Sequence, residues 1–65
     1  MTQKELAYVE DAIGHENNII SILENEIENV EDDNLIDYLN DDISNHQDML
    51  TELIELLEVG LWFFV

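Results

Sequence analysis

Residues 26–44 read EIENVEDDNLIDYLNDDIS. Ile27 and Val30 close one apolar rhythm there, Ile36, Leu39 and Ile43 open another, and Glu31-Asp32-Asp33-Asn34 stands between them. Followed back towards the N-terminus, the first rhythm is Leu6, Val9, Ile13, Glu16, Ile20, Leu23, Ile27 and Val30, in alternating steps of three and four. That spacing keeps one side of an α-helix apolar, as in a coiled-coil seam, here with a single polar member, Glu16. Followed forward, the second rhythm is Ile36, Leu39, Ile43, His46, Leu50, Leu53 and Leu57, again with one polar member. The Asp and Asn residues of the intervening cluster are good N-caps, and their charge suits a helix N-terminus. Thr2 and Glu5 have the spacing of a capping box, which starts a helix near Gln3. Gly60 stands where a C-terminal cap is expected. The expected fold is all-α, an antiparallel helical hairpin. Helix 1 covers about 3–30, a turn 31–34, helix 2 about 35–59, and an apolar tail 60–65.

A chain of 65 residues has room for one small core, which is marginal alone, so oligomerisation is expected. The side chains assigned to the core and dimer face are the apolar seam residues other than Val30, together with Ile19, Met49 and Leu56 from outside the seams. Ala12, Ile19 and Ile22 lie beside the first, and Leu35, Met49, Ile54 and Leu56 beside the second. These widen the apolar stripe past what one partner helix can cover. Two hairpins packed face to face would bury it, and a homodimeric four-helix bundle is the expected assembly.

Composition bounds the function. Seventeen Asp and Glu stand against one Lys and no Arg, giving a net charge of −16 with both histidines neutral. An apolar fraction of 46%, regularly spaced, argues for folding over disorder. The charge argues against binding DNA, RNA or anionic lipid directly, because phosphates would be repelled. The longest apolar run, VGLWFFV at 59–65, is far short of a membrane span. Without an apolar segment after the N-terminus, and without cysteine, a cytoplasmic location with no disulfide or thiolate metal site is expected.

Chemistry-bearing constellations are few. The two polar seam residues, Glu16 and His46, would be doubled in a dimer into a set that a zinc or iron ion could accept. Di-iron bundles need a Glu-x-x-His step, however, and the residue three before His46 is Ile43. The plainer alternative is a hydrogen-bonded Glu–His pair that fixes helix register. If Ile20 faces His46, Glu16 lies one turn away, opposite Leu50. His15 points to the outer flank of helix 1 and should be solvated. The EDDN cluster lacks the glycine and spaced ligands of a calcium loop. No nucleophile stands with a base and no phosphate-binding loop is present, so no enzymatic activity and no cofactor are expected.

The carboxylates themselves are the remaining candidates. Glu24, Glu28, Glu31, Asp32, Asp33, Asp37, Asp41, Asp48 and Glu55 lie off the seams, and Asp41, Asp48 and Glu55 form one row. A helix of this length spans roughly 40 Å. A dimer with net charge near −32 would carry about one negative charge per 1.3 Å, close to the roughly 1.7 Å of duplex DNA. Solubility alone asks for a net charge of only about 2 to 8, with both signs mixed.

Two resemblances bear on this. IISILENEIENVE, residues 19–31, resembles the central helix of the small Bacillus antirepressors that bind the transition-state regulator AbrB by imitating DNA. In composition the chain is similar to the acidic inhibitors that phages of Firmicutes direct against host DNA-binding proteins. These resemblances imply a DNA mimic whose partner is a basic DNA-binding protein: a nucleoid-associated protein such as HU, a transcriptional regulator or a nuclease. TQKELAYVEDAIGHE at 2–16 and NHQDMLTELIELL at 45–57 resemble short clostridial spore-coat proteins with a ferritin-like hairpin, which implies a structural role with Glu16 and His46 as candidate metal ligands.

Overall fold

A computed structural model describes residues 1–62. Among them are two helices, α1 (Gln3–Glu28) and α2 (Asp33–Trp62), packed along each other as a hairpin. The rod measures 50 × 14 × 10 Å between Cα atoms. Helix α1 begins where the capping box places it. The Thr2 N–H donates to Glu5 Oε1 at 3.0 Å, and the Glu5 N–H donates to Thr2 Oγ1 at 3.1 Å. These bonds hold the Glu5 carboxyl below the ordinary carboxylate range. The cap is therefore complete above that range and is lost as pH falls through the lowered value.

The connection, residues 29–32, lies two residues earlier than the seam spacing implied. Helix α1 stops at Glu28, and Asn29 caps it, its N–H donating to the Glu26 carbonyl at 3.0 Å while the Val30 N–H donates to the Ile27 carbonyl at 3.4 Å. The Asn29 side chain donates to the Asn25 carbonyl at 2.9 Å. Helix 1 was expected to reach about residue 30. A side-chain amide that can satisfy a free terminal carbonyl ends it earlier. Helix α2 begins at Asp33, because Asp32 Oδ1 accepts the Leu35 N–H at 3.0 Å and the Asp32 carbonyl accepts the Ile36 N–H at 2.9 Å. Asp32 is thus the N-cap, as an Asp before an apolar run should be.

The far end corrects the reading of Gly60. It does not cap a helix ending near 59. The helix runs through it to Trp62, and no described glycine has positive φ. Gly60 is buried, and a Cβ placed on it would lie 2.8 Å from Met1 Sδ. The missing side chain makes room for Met1 rather than turning the backbone. Of the tail assigned to 60–65, residues 63–65 lie outside the described residues.

Only Ile20 and Ile43 are buried among the described large apolar residues, each 8% exposed. The other seam residues, from Leu6 and Val9 to Leu53 and Leu57, are half-buried. Met49 and Leu56, counted in the expected core, are 45% and 48% exposed. A two-helix contact covers one narrow strip of each helix, so side chains a quarter turn away stay in solvent.

Gly14 gives a direct stability test. It lies inside α1, is exposed, and has nothing within 4 Å of where a Cβ would sit. Gly14→Ala should stabilise the fold by about 0.5–1 kcal/mol through lost freedom of the unfolded chain. Thermal melting followed by circular dichroism should show a rise of several degrees. A fall would mean that residue 14 touches something the hairpin alone does not contain.

Candidate functional site

Two features of the rod could act on another molecule: the polar pair in its seam and the acids on its surface. The seam pair is closer than the sequence placed it. His46 Nδ1 lies 2.5 Å from Glu16 Oε2, with side chains 19% and 14% exposed. Ile20 therefore does not face His46, and Glu16 does not face Leu50. The helices are shifted by about one turn from that register, which joins the two polar seam residues and leaves Ile20 and Ile43 to form the core. A half-buried carboxylate opposite leucine would lose hydration without replacement, and the shift removes that cost.

A third group attends the pair. His46 Nε2 lies 3.6 Å from Asp42 Oδ1, one helical turn back on α2. Asp42 was not among the sequence candidates, although its four-residue spacing from His46 is the signal for such a pair. Among the described residues, no three His, Cys, Asp or Glu side chains are gathered as a metal site. The bond between Glu16 and His46 occupies the groups that the metal alternative would use as ligands.

Single and double substitutions separate a register pair from a strength-giving one. Glu16→Ala should cost about 1–3 kcal/mol, since it leaves the imidazole half-buried with one partner fewer. Glu16→Leu combined with His46→Leu should restore or exceed the original melting temperature, because apolar packing replaces two desolvated polar groups. Chelators should leave the melting temperature unchanged. A drop of several degrees with chelator would instead establish a structural metal.

The nine surface candidates are all exposed. Glu24 and Glu28 are on α1, Glu31 and Asp32 in the connection, and Asp33, Asp37, Asp41, Asp48 and Glu55 on α2. Chain proximity gathers Glu28, Glu31, Asp32, Asp33 and Asp37 at the turn end of the rod. Asp41, Asp48 and Glu55, seven residues apart, form a row on α2 turned away from the seam. Glu24 lies on α1, outside that row. The nine form a belt, not one face, and the Asp32 carboxylate is partly committed to capping α2. The only Lys or Arg of the chain is Lys4, whose Nζ lies 5.9 Å from the centre of the Tyr8 ring. It is at the opposite end from the acidic turn.

The side of the hairpin between these acids is apolar. With roughly 100° per residue, Tyr8, Ala12, Ile19 and Ile22 make a second stripe on α1, about a quarter turn from the seam. Leu35, Tyr38, Met49 and Leu56 make another on α2, interrupted by Asp42 and Glu52. In an antiparallel pair both stripes turn to the same broad side. A groove of about 300 Å³ on that side joins Glu16 of α1 to Met49, Glu52, Leu53 and Leu56 of α2. Among the described residues, no helix is long and apolar enough to cross a membrane. Compared with known proteins, the chain matches no family model, no curated protein and no solved structure.

Proposed function

We propose that two copies of this hairpin associate through the apolar side into an acidic four-helix rod, and that the rod occupies the DNA-binding surface of a basic bacterial protein. The observation that carries this reading is the density of unanswered charge on an extended shape. Sixteen net negative charges on a 50 Å rod amount to about one per 3 Å. Two copies side by side carry about one per 1.6 Å over the same length, against roughly one per 1.7 Å for duplex DNA. Carboxylates would then meet the Lys and Arg side chains that otherwise grip phosphates, and DNA would be excluded by competition. The resemblance of residues 19–31 to the Bacillus antirepressors supports the same reading, and a bacterial cytoplasm is the location proposed with it.

The test is a competition among purified components. A labelled DNA duplex is bound to a basic DNA-binding protein such as HU, and the acidic protein is added at low and then at rising salt. Displacement of the duplex at low salt, lost steeply as salt rises, supports the reading, because many ion pairs screened together give a steep dependence. A ternary complex of target, DNA and this protein sinks it.

A further inference from the structure

We infer that the second copy lies antiparallel to the first, related by a two-fold axis perpendicular to the rod, with the turn of each hairpin beside the Lys4 end of the other. This rests on the dimer proposed above and adds its polarity. A two-fold interface must be self-complementary: if residue i touches residue j, then j touches i. For face-to-face hairpins there are two such arrangements. In one the axis runs along the rod and both turns share an end. In the other the axis crosses the rod at its middle and the turns lie at opposite ends.

The exposed side chains obey the second. Among the described residues, seven of the nine exposed large apolar side chains lie on the apolar side: Tyr8, Ile22, Leu35, Tyr38, Met49, Leu56 and Val59. On α1 the stripe is mirrored about His15, so that Tyr8 meets Ile22 of the second copy and Ala12 meets Ile19. On α2 it is mirrored about Gln47, so that Leu35 meets Val59 and Tyr38 meets Leu56. The two mirror points nearly coincide. The bond from Glu16 to His46 places His15 and Gln47 at one level, midway between the Met1–Gly60 contact and the turn. A mirrored stripe on one helix alone would follow from the heptad spacing. The nearly common centre on both helices, with Tyr8, Ala12, Leu35 and Tyr38 each opposite an apolar residue and Met49 opposite Asn45, is the added observation.

The groove beside Leu56 fits this register. It is lined by Met49, Leu53 and Leu56 with Glu16 and Glu52 at its rim. Tyr38, 68% exposed on its own hairpin, is the side chain that the second copy brings there. In the parallel arrangement Tyr8 would approach Leu56 and Ala12 Met49, but Ile19 would approach Asp42.

Charge selects the same polarity. Sharing an end would crowd two sets of Glu28, Glu31, Asp32, Asp33 and Asp37 to within about a Debye length, which is roughly 8–10 Å at ordinary salt. Crossing the copies separates those sets by nearly the 50 Å rod. It also sets Lys4 beside Glu26 of the second copy, using the chain's only Lys where it can act. Two contacts oppose association: Asp42 meets Glu52 of the second copy near the middle, and Glu5 meets Glu26 nearer the ends, in the register that sets Ala12 against Ile19.

The experiment is a distance between two identical labels. The chain has no cysteine, so Asn34→Cys, exposed in the first turn of α2, accepts one spin label per copy. Sedimentation equilibrium is run on the same sample. A dimer with a label separation of about 40 Å, the rise over the residues between the two turns, supports the antiparallel rod. A dimer with a separation under about 30 Å overturns the polarity while leaving the dimer standing. A monomer at tens of micromolar overturns both. As a second variant, Glu52→Lys should tighten the antiparallel dimer about tenfold, because it turns the Asp42 contact attractive. No change or a weakening with that variant counts against the register.

Discussion

Ile20→Asp is expected to unfold the protein. Ile20 is one of two buried large apolar side chains among the described residues, at 8% exposure, and Ile43 is the other. An aspartate there puts a carboxylate into the thickest part of a thin core with no cation in reach. Such a substitution costs about 3–5 kcal/mol when the charge has no partner. A small domain rarely has more than about 3–5 kcal/mol to lose. The new charge also joins 17 others in a chain with a single Lys, so self-repulsion adds to the loss. Far-UV circular dichroism should show helical signal collapsing at room temperature. Asn18→Asp, on an exposed position of the same helix, adds the same charge and should keep the fold. If Ile20→Asp stays helical with an unchanged melting temperature, then Ile20 and Ile43 do not form the centre of the molecule.

Neutralising the α2 row should separate function from folding. Asp41→Asn, Asp48→Asn and Glu55→Gln together remove three negative charges from exposed positions that make no contact across the seam. Helical content should be retained, and the melting temperature should hold or rise as repulsion eases. Affinity for the basic target should fall by about tenfold or more, with slower association and a shallower dependence on salt, because three ion pairs are lost from a surface that works by their number. For the unchanged protein, added salt should act in opposite senses on the two properties, weakening binding while raising thermal stability, since screening reduces both attraction to the target and repulsion within the rod. An affinity indifferent to the three substitutions would end the mimicry reading even if the dimer stands.

The sequence by itself determined the helices and their partner faces. Steps of three and four from Leu6 to Val30 and from Ile36 to Leu57 leave no other element that buries both stripes, and Thr2 with Glu5 starts α1 as capping chemistry dictates. It also determined the exposed acids, because a carboxylate off the seam has nowhere else to go. The register lay beyond its reach. Sliding one helix by a turn leaves apolar facing apolar, and the setting found is the one that the short connection 29–32 and the bond between Glu16 and His46 both allow. Asp42 entered the cluster with that choice. Gly60 shows the other limit of local reading. As a residue type it signals a helix end, yet in the folded chain it lies inside α2 against Met1, a neighbour that only the hairpin brings to it. Local chemistry sets where a helix can form. Which groups meet across the seam, and so which side chains remain for a second copy, depends on contacts between residues far apart in the chain.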